Sequence, residues 1–156
     1  MGKKEQKIID FLKNNNGANL RLIEPDLVLC SRIKGKESSF GKFLNESPFF
    51  KNKFPNSWEE PYITNCDIYC FNEKDSAFVV IEVKTGKADY KTFGQILYYL
   101  INAEVVESVN GKKVKTLCGI ILASKIDKTL KTLVKAYNPS LRTNFFEKTT
   151  IKTNSS

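Results

Sequence analysis

The sequence predicts an α/β domain with a mixed central β-sheet flanked by helices. Three observations predict it. Apolar strand-like runs and amphipathic helical segments follow in the order helix, strand, strand, strand, helix, strand, helix, strand. The run at 116–123 is apolar almost throughout, the mark of a strand buried on both faces, hence central and parallel. The runs at 66–71 and 77–84 are joined by the turn residues Asn72 to Ser76, which makes them a hairpin.

The elements read as follows. Ile8, Ile9, Phe11 and Leu12 give residues 3–13 an apolar helical face, and Asn14, Asn15, Asn16 and Gly17 stop it. Residues 26–33 read as a first strand. Residues 34–62 break the rhythm: lysines alternate with Phe40, Phe43, Phe49, Phe50, Phe54 and Trp58, punctuated by Pro48, Pro55 and Pro61. This stretch reads as an insertion within a single domain spanning 1–156. Its aromatics could stack bases while the lysines neutralise phosphates, but the simpler reading is that they cover an edge of the core. After the hairpin, Gly86 is expected to end the third strand. A helix then runs over 89–105 with Phe93, Leu97, Leu100 and Ile101 inward. Asn110 and Gly111 form a turn between polar flanks. A helix over 127–137 carries Leu130, Leu133 and Val134 on one side. A short strand holds Phe145 and Phe146, and the tail from Thr153 is frayed.

Composition narrows the function. The chain has 156 residues with 41% hydrophobic and 27% charged, enough to close a core. No apolar run approaches the roughly 18 residues of a membrane span, and the N-terminus lacks a secretory pattern, so an intracellular, cytoplasmic protein is expected. Twenty-five Lys and Arg against 17 Asp and Glu give a net charge of +8, which favours a polyanionic partner, nucleic acid before membrane. An ordinary basic protein would also carry such a charge. Histidine is absent, which excludes Ser-His-Asp and Cys-His catalysis and His-ligated zinc. Cys30, Cys66, Cys70 and Cys118 form no CxxC pair and sit in strand-like runs, so they read as reduced, buried thiols.

The chemistry concentrates at the hairpin. Glu82 and Lys84 lie two apart near the end of an apolar strand, so they project from one face together with Phe78 and Val80. An edge-of-sheet ion pair would explain this alone. Glu5 with Lys7 and Asp89 with Lys91 repeat the spacing, but neither follows an apolar strand. Hairpin strands run oppositely, so Asp67 near the start of one can lie beside Glu82 near the end of the next. Two converging carboxylates can hold Mg²⁺ or Mn²⁺, helped by a backbone carbonyl, assigned to Val83, and by waters. Such an ion would polarise a phosphate and lower the pKa of a water, and Lys84 would stabilise developing negative charge. Gln95 and Tyr99 are four apart on the following helix and share a face, read as a different side from Leu97 and Leu100. They could orient the lysine, the water or a phosphate, or be ordinary boundary residues.

Asp67, then Glu82, Val83 and Lys84, then Gln95 to Tyr99 resemble the motifs of the PD-(D/E)xK nuclease superfamily. The Gln-x-x-x-Tyr spacing is similar to that of its RecB-like and NucS-like branches. The stretches 19–24, 79–100 and 119–123 are most similar to the nuclease domain of the NucS family, whose members act on branched or mismatched DNA. The resemblance implies a restriction-endonuclease-like fold and divalent-metal hydrolysis of DNA, with a link to DNA repair. It implies metal binding by Asp67 and Glu82, catalysis by Lys84, and auxiliary active-site roles for Gln95 and Tyr99. Glu5 lies where relatives often carry a first-helix carboxylate. Cys66 stands before Asp67 where the motif has Pro, and Asn65 stands where NucS relatives usually have Arg. Only Cys118 follows the lysine, so no iron–sulfur cluster is expected.

The expected function is a Mg²⁺- or Mn²⁺-dependent DNA endonuclease acting on branched, mismatched or single-stranded DNA. The alternative is a catalytically inactive nucleic-acid-binding module of the same fold, for which the row Lys128, Lys131 and Lys135 speaks as well as for a solvated helix face. DNA is the expected partner, with RNA left open by the residues themselves; no membrane is expected, and the state is left open between monomer and homodimer.

Overall fold

The structure, a computed structural model, describes residues 2–35, 66–104 and 106–137, and the backbone of 147–154. Its helices are α1 (Lys3–Gly17), α2 (Tyr90–Ala103) and α3 (Lys128–Tyr137), with a 3₁₀ turn at Ala18–Leu22. Its strands are β1 (Leu27–Leu29), β2 (Ile33–Gly35), β3 (Ile68–Asn72), β4 (Ala77–Ala88), β5 (Val106–Val109), β6 (Lys112–Lys113), β7 (Thr116–Ile126) and β8 (Glu147–Asn154).

A five-stranded sheet in the order β1-β3-β4-β7-β8 forms the centre, and β2-β5-β6 form a second sheet. The central sheet is mixed. β4 and β7 pair in parallel, whereas β1 with β3, β3 with β4, and β7 with β8 pair antiparallel. The fold is therefore α/β with helices on both faces of a mixed sheet. The apolar run of β7 is central and parallel to β4, because both of its faces are covered. On one face Phe78, Val80, Leu117 and Ile121 pack with Ile96, Leu100, Leu130 and Val134 of α2 and α3. On the other, Val79, Ile81, Val83 and Ile120 pack with Ile9, Leu12 and Leu20 of α1 and the 3₁₀ turn. No helix among the described residues is long and apolar enough to cross a membrane.

Local chemistry sets the breaks. Helical backbone ends after Lys13, where Asn15 and Asn16 take left-handed φ of 51° and 56°, a region asparagine tolerates better than most side chains. Asp89 caps α2 by accepting a hydrogen bond from the Lys91 backbone N–H at 2.9 Å.

Several sequence expectations are corrected. The strand expected at 26–33 is two strands in different sheets. Between them Asn110 Oδ1 accepts from the backbone N–H groups of Ser31 and Arg32 at 2.8 and 3.2 Å, which replaces ladder bonds and lets the chain change sheet. Gly86 does not end β4. The strand runs on to Ala88 through a register shift between Lys84 and Lys87, because β7 offers it a partner as far as Ile126. Asn110 and Gly111 do more than turn the chain, since they join β5 and β6 as a hairpin. Their φ of 52° and 80° are the positive values a two-residue hairpin needs, but β5 is short and β6 is two lysines. On α2, Leu100 is buried and Phe93 and Leu97 pack half-buried against the core, as expected, whereas Ile101 is exposed; Thr92, Ile96, Tyr99, Asn102 and Ala103 complete the buried face. Thr153 and Asn154 belong to β8 rather than to a frayed tail. Of the insertion expected at 34–62, Lys34 and Gly35 belong to β2 and the rest lies outside the described residues, as do Phe145 and Phe146.

One contact fixes α2 on the sheet. A Cβ at Gly119 of β7 would lie 2.7 Å from Ile96 Cγ1 and 3.3 Å from Leu100 Cδ1. Only a residue without a side chain lets the helix come this close. Gly119→Ala should therefore cost about 1–3 kcal/mol through overpacking, read as a lowered urea midpoint with an unchanged slope. An unchanged midpoint would show that the helix seat is not tight.

Candidate active site

The β3–β4 hairpin builds the site. Its register pairs Ile68 with Ile81, so Asp67 comes next on the line opposite Glu82, and the ladder stops there. Asp67 sits in a bend just before β3. Its Oδ2 accepts a 2.7 Å hydrogen bond from the Val83 backbone N–H, a donor the ladder has left free. The carboxylate is thereby held against the middle of β4, where the ladder to β3 ends.

Glu82 is only 4% exposed in the middle of β4, directly after five apolar residues. Its Oε1 lies 3.5 Å from Lys84 Nζ, and its Oε2 is buried with no hydrogen-bond partner among the described residues. Burial pushes the Glu82 carboxyl up to about 7; the Asp67 charge adds to this and Lys84 opposes it. Burial also raises the Asp67 carboxyl, against the pull of the Val83 N–H and Lys84, while the Glu5 charge pushes the same way as burial. With the Asp67 charge raising Glu82, and the Lys84 ammonium 3.5 Å from Glu82 alone, the two carboxyls cannot both ionise freely.

Neighbouring groups shape the pair. Gln95 Nε2 donates to Tyr99 Oη at 3.1 Å, so these two side chains do interact along α2. Tyr99 is 7% exposed and packs in the core beside Ile96 and Leu100, not on a separate flank as its spacing suggests. Burial and then the Glu82 charge push its hydroxyl up to about 12, so it stays a protonated, neutral phenol within electrostatic reach of Glu82. Glu5 is half-buried on α1 and acts on Asp67 through its charge. Among the sequence candidates, then, Asp67, Glu82 and Lys84 gather tightly. Tyr99 lies within electrostatic reach, Gln95 touches Tyr99, and Glu5 reaches Asp67 only through its charge.

Two residues escape the sequence reading. The Tyr69 Oη accepts from the Cys66 backbone N–H at 3.2 Å, and the Cys66 thiol donates to the Ile68 carbonyl at 3.2 Å. Together they fix the bend that presents Asp67. Tyr69 in turn stacks on Phe78, with ring centroids 5.9 Å apart. The one signal is its position two residues after Asp67, on the same side of the strand. Burial raises the Cys66 thiol well above the ordinary range, so it is an unreactive neutral group. All four cysteines are free.

Among the described residues, no group of three or more Cys, Asp and Glu side chains gathers as a metal-holding cluster. Asp67 and Glu82 form a pair of hard oxygen donors, flanked by an ammonium.

The raised Glu82 pKa predicts a pH dependence. The folded protein holds a proton on Glu82 that the unfolded chain, with an ordinary carboxyl near 4.5, has already lost. Stability contributed by the protonated form is therefore present below 4.5 and is lost as pH rises from 4.5 through about 7. Without divalent ions, the urea midpoint should fall over that window, and Glu82→Gln should flatten the fall. The same slope in both proteins would remove Glu82 as its source.

Comparison with known protein families matches no family model, and none of the curated proteins matches. Among solved structures, the chain is similar to the crystal structure of a repair endonuclease from Pyrococcus abyssi, with 18% identity and a TM-score of 0.45. The match covers 87% of this chain and 43% of that one, so the chain spans less than half the length of that protein.

Proposed function

We propose that the chain is a metal-dependent nuclease of restriction-endonuclease-like fold that hydrolyses phosphodiester bonds in DNA. The observation carrying this reading is the buried Glu82 oxygen without a partner, beside a second carboxylate and a lysine. An unpaired carboxylate oxygen inside a fold is costly unless something takes its place as a partner. A hard divalent cation suits the donors present. Mg²⁺ usually keeps several waters and is bound through one or two carboxylates plus substrate phosphate, so two acidic side chains are enough.

Asp67 and Glu82 would hold the ion, with the Val83 carbonyl, water and phosphate oxygens completing its shell. When bound, Mg²⁺ or Mn²⁺ supplies Lewis-acid polarisation of the phosphate and a more acidic water. The chain's own residues have separable tasks. The Val83 N–H keeps Asp67 aimed. Lys84, one-third exposed at the mouth of the site, meets the scissile phosphate and offsets the negative charge that grows during attack. Tyr99, held by Gln95, presents a phenol that stays protonated and can donate to a phosphate or a water. Glu5 adds negative charge at the α1 side. The net charge of +8 favours approach of a polyanion.

The test is cleavage of labelled single-stranded, duplex, flap and mismatched DNA and of single-stranded RNA, with Mg²⁺, with Mn²⁺ and with EDTA. Cutting should require the metal. Asp67→Ala and Glu82→Ala should abolish it with the fold intact. Lys84→Ala should lower turnover by about 10²–10³ while divalent-ion affinity is kept. Intact substrates throughout, with salt-sensitive binding retained, would instead identify a binding module that does no chemistry.

A further inference from the structure

The carboxyl ends of β4 and β7 carry a feature the catalytic reading does not use. Past the register shift in β4, Lys87 pairs directly with Lys125. Both are exposed, and neither has an ion pair among the described residues. Adjacent strands stand about 4.8 Å apart, so two ammonium-bearing chains leave neighbouring backbones at one level. Like charges placed opposite each other destabilise a strand pair. The arrangement is nonetheless built into the strand ends. Ser124 Oγ donates to the Thr85 carbonyl at 2.7 Å across the irregularity, and Ala88 with Ile126 is buried just beyond it.

The surroundings add positive character. The Asp127 backbone N–H donates to the Ala88 carbonyl at 2.9 Å, so α2 and α3 begin side by side at this end of the sheet. Their first turns carry the exposed Lys91 and Lys128. The acids present, Asp89 and Asp127, are engaged at the helix starts by the backbone N–H groups of Lys91 and Thr129. Four lysines thus face two aspartates whose charge is directed at helix N-termini. Lys87 lies three residues beyond Lys84, about 10 Å along a strand.

We propose that Lys87 and Lys125 form a phosphate clamp that binds the backbone of the nucleic acid next to the bond presented to Lys84. The inference rests on the nuclease reading for its substrate, and it goes further in naming the surface that holds it. A polyanion bridging the two ammonium groups offsets their mutual repulsion by its attraction to both, which accounts for a like-charged pair at this position. The clamp is a positioning device: it touches neither the reacting phosphate nor the carboxylates.

The test is binding of a fluorescent DNA duplex to the full chain in EDTA, across a salt series, for wild type and for Lys87→Gln/Lys125→Gln. Lys74→Gln/Lys113→Gln is the control, since both lysines lie by the opposite ends of β4 and β7. The slope of log affinity against log salt should fall by about 1.8 in the clamp variant, near 0.9 for each phosphate no longer neutralised, and stay unchanged in the control. Each single clamp substitution should remove about half of that. Removing a like-charged pair should leave the melting temperature equal or higher, and Lys87→Arg/Lys125→Arg should keep wild-type binding. With metal, the Gln variant should raise KM and keep kcat. Equal loss in clamp and control, an unchanged slope, or no binding by wild type would each overturn the clamp. A clamp effect without any metal-dependent cleavage would sustain this inference and sink the nuclease reading; cleavage with an unaltered slope would do the reverse.

Discussion

Two carboxylates held at the end of an antiparallel ladder are the constraint around which this structure is arranged. The β3–β4 register brings Asp67 to the position opposite Glu82, where a continued ladder would set like charges face to face. The chain instead bends at Asp67, and the Val83 N–H that would have continued the ladder is donated to the Asp67 carboxylate. Glu82 cannot withdraw to solvent, because it is flanked along β4 by Ile81 and Val83, which are buried among the α1-side core. The repulsion is therefore stored in the fold, partly offset by Lys84, and relieved by a proton as pH falls through about 7. A site that stores unfavourable electrostatics midway along a central strand, where its antiparallel ladder ends, is better explained by what it receives than by what it stabilises.

The rest of the architecture serves to hold that part of β4. β4 is central, paired on both sides and covered on both faces, so its carboxylate is carried by a strand whose first seven residues are all buried. α2 is seated on β7 at Gly119 by Ile96 and Leu100, and this seat brings Tyr99 toward Glu82. The Tyr69 ring stacks on Phe78 while its hydroxyl receives the Cys66 N–H, which ties the bend at Asp67 to the hydrophobic core. Packing and polar geometry converge on the same few atoms.

Much of this is legible in the sequence, for physical reasons that differ by element. The central parallel strand is readable because burial on both faces removes polar residues from 116–123. The hairpin is readable from a polar turn between two apolar runs, and its opposite strand directions alone bring Asp67 near Glu82. What escapes depends on distant partners. The change of sheet at Cys30 to Arg32 is made by Asn110, some eighty positions away. β6 carries two exposed lysines and has no strand pattern of its own. The continuation of β4 past Gly86 is dictated by β7, not by local propensity. The inward face of α2 is hard to read because apolar residues encircle the helix: Ile101 is as apolar as Leu100, and only the sheet decides that Tyr99 and Leu100 turn inward. Tyr69 and Cys66 support the site through a backbone bend that no spacing rule encodes.

The central claim is that the Asp67–Glu82 pair exists to receive a divalent cation, and a calorimetric titration of Mn²⁺ into the metal-free full chain tests it most directly. One site per chain is predicted, with affinity largely lost in Asp67→Asn and in Glu82→Gln and retained in Lys84→Ala. Mn²⁺ binding of equal strength in wild type and both carboxylate variants, or none in any of them, would contradict it.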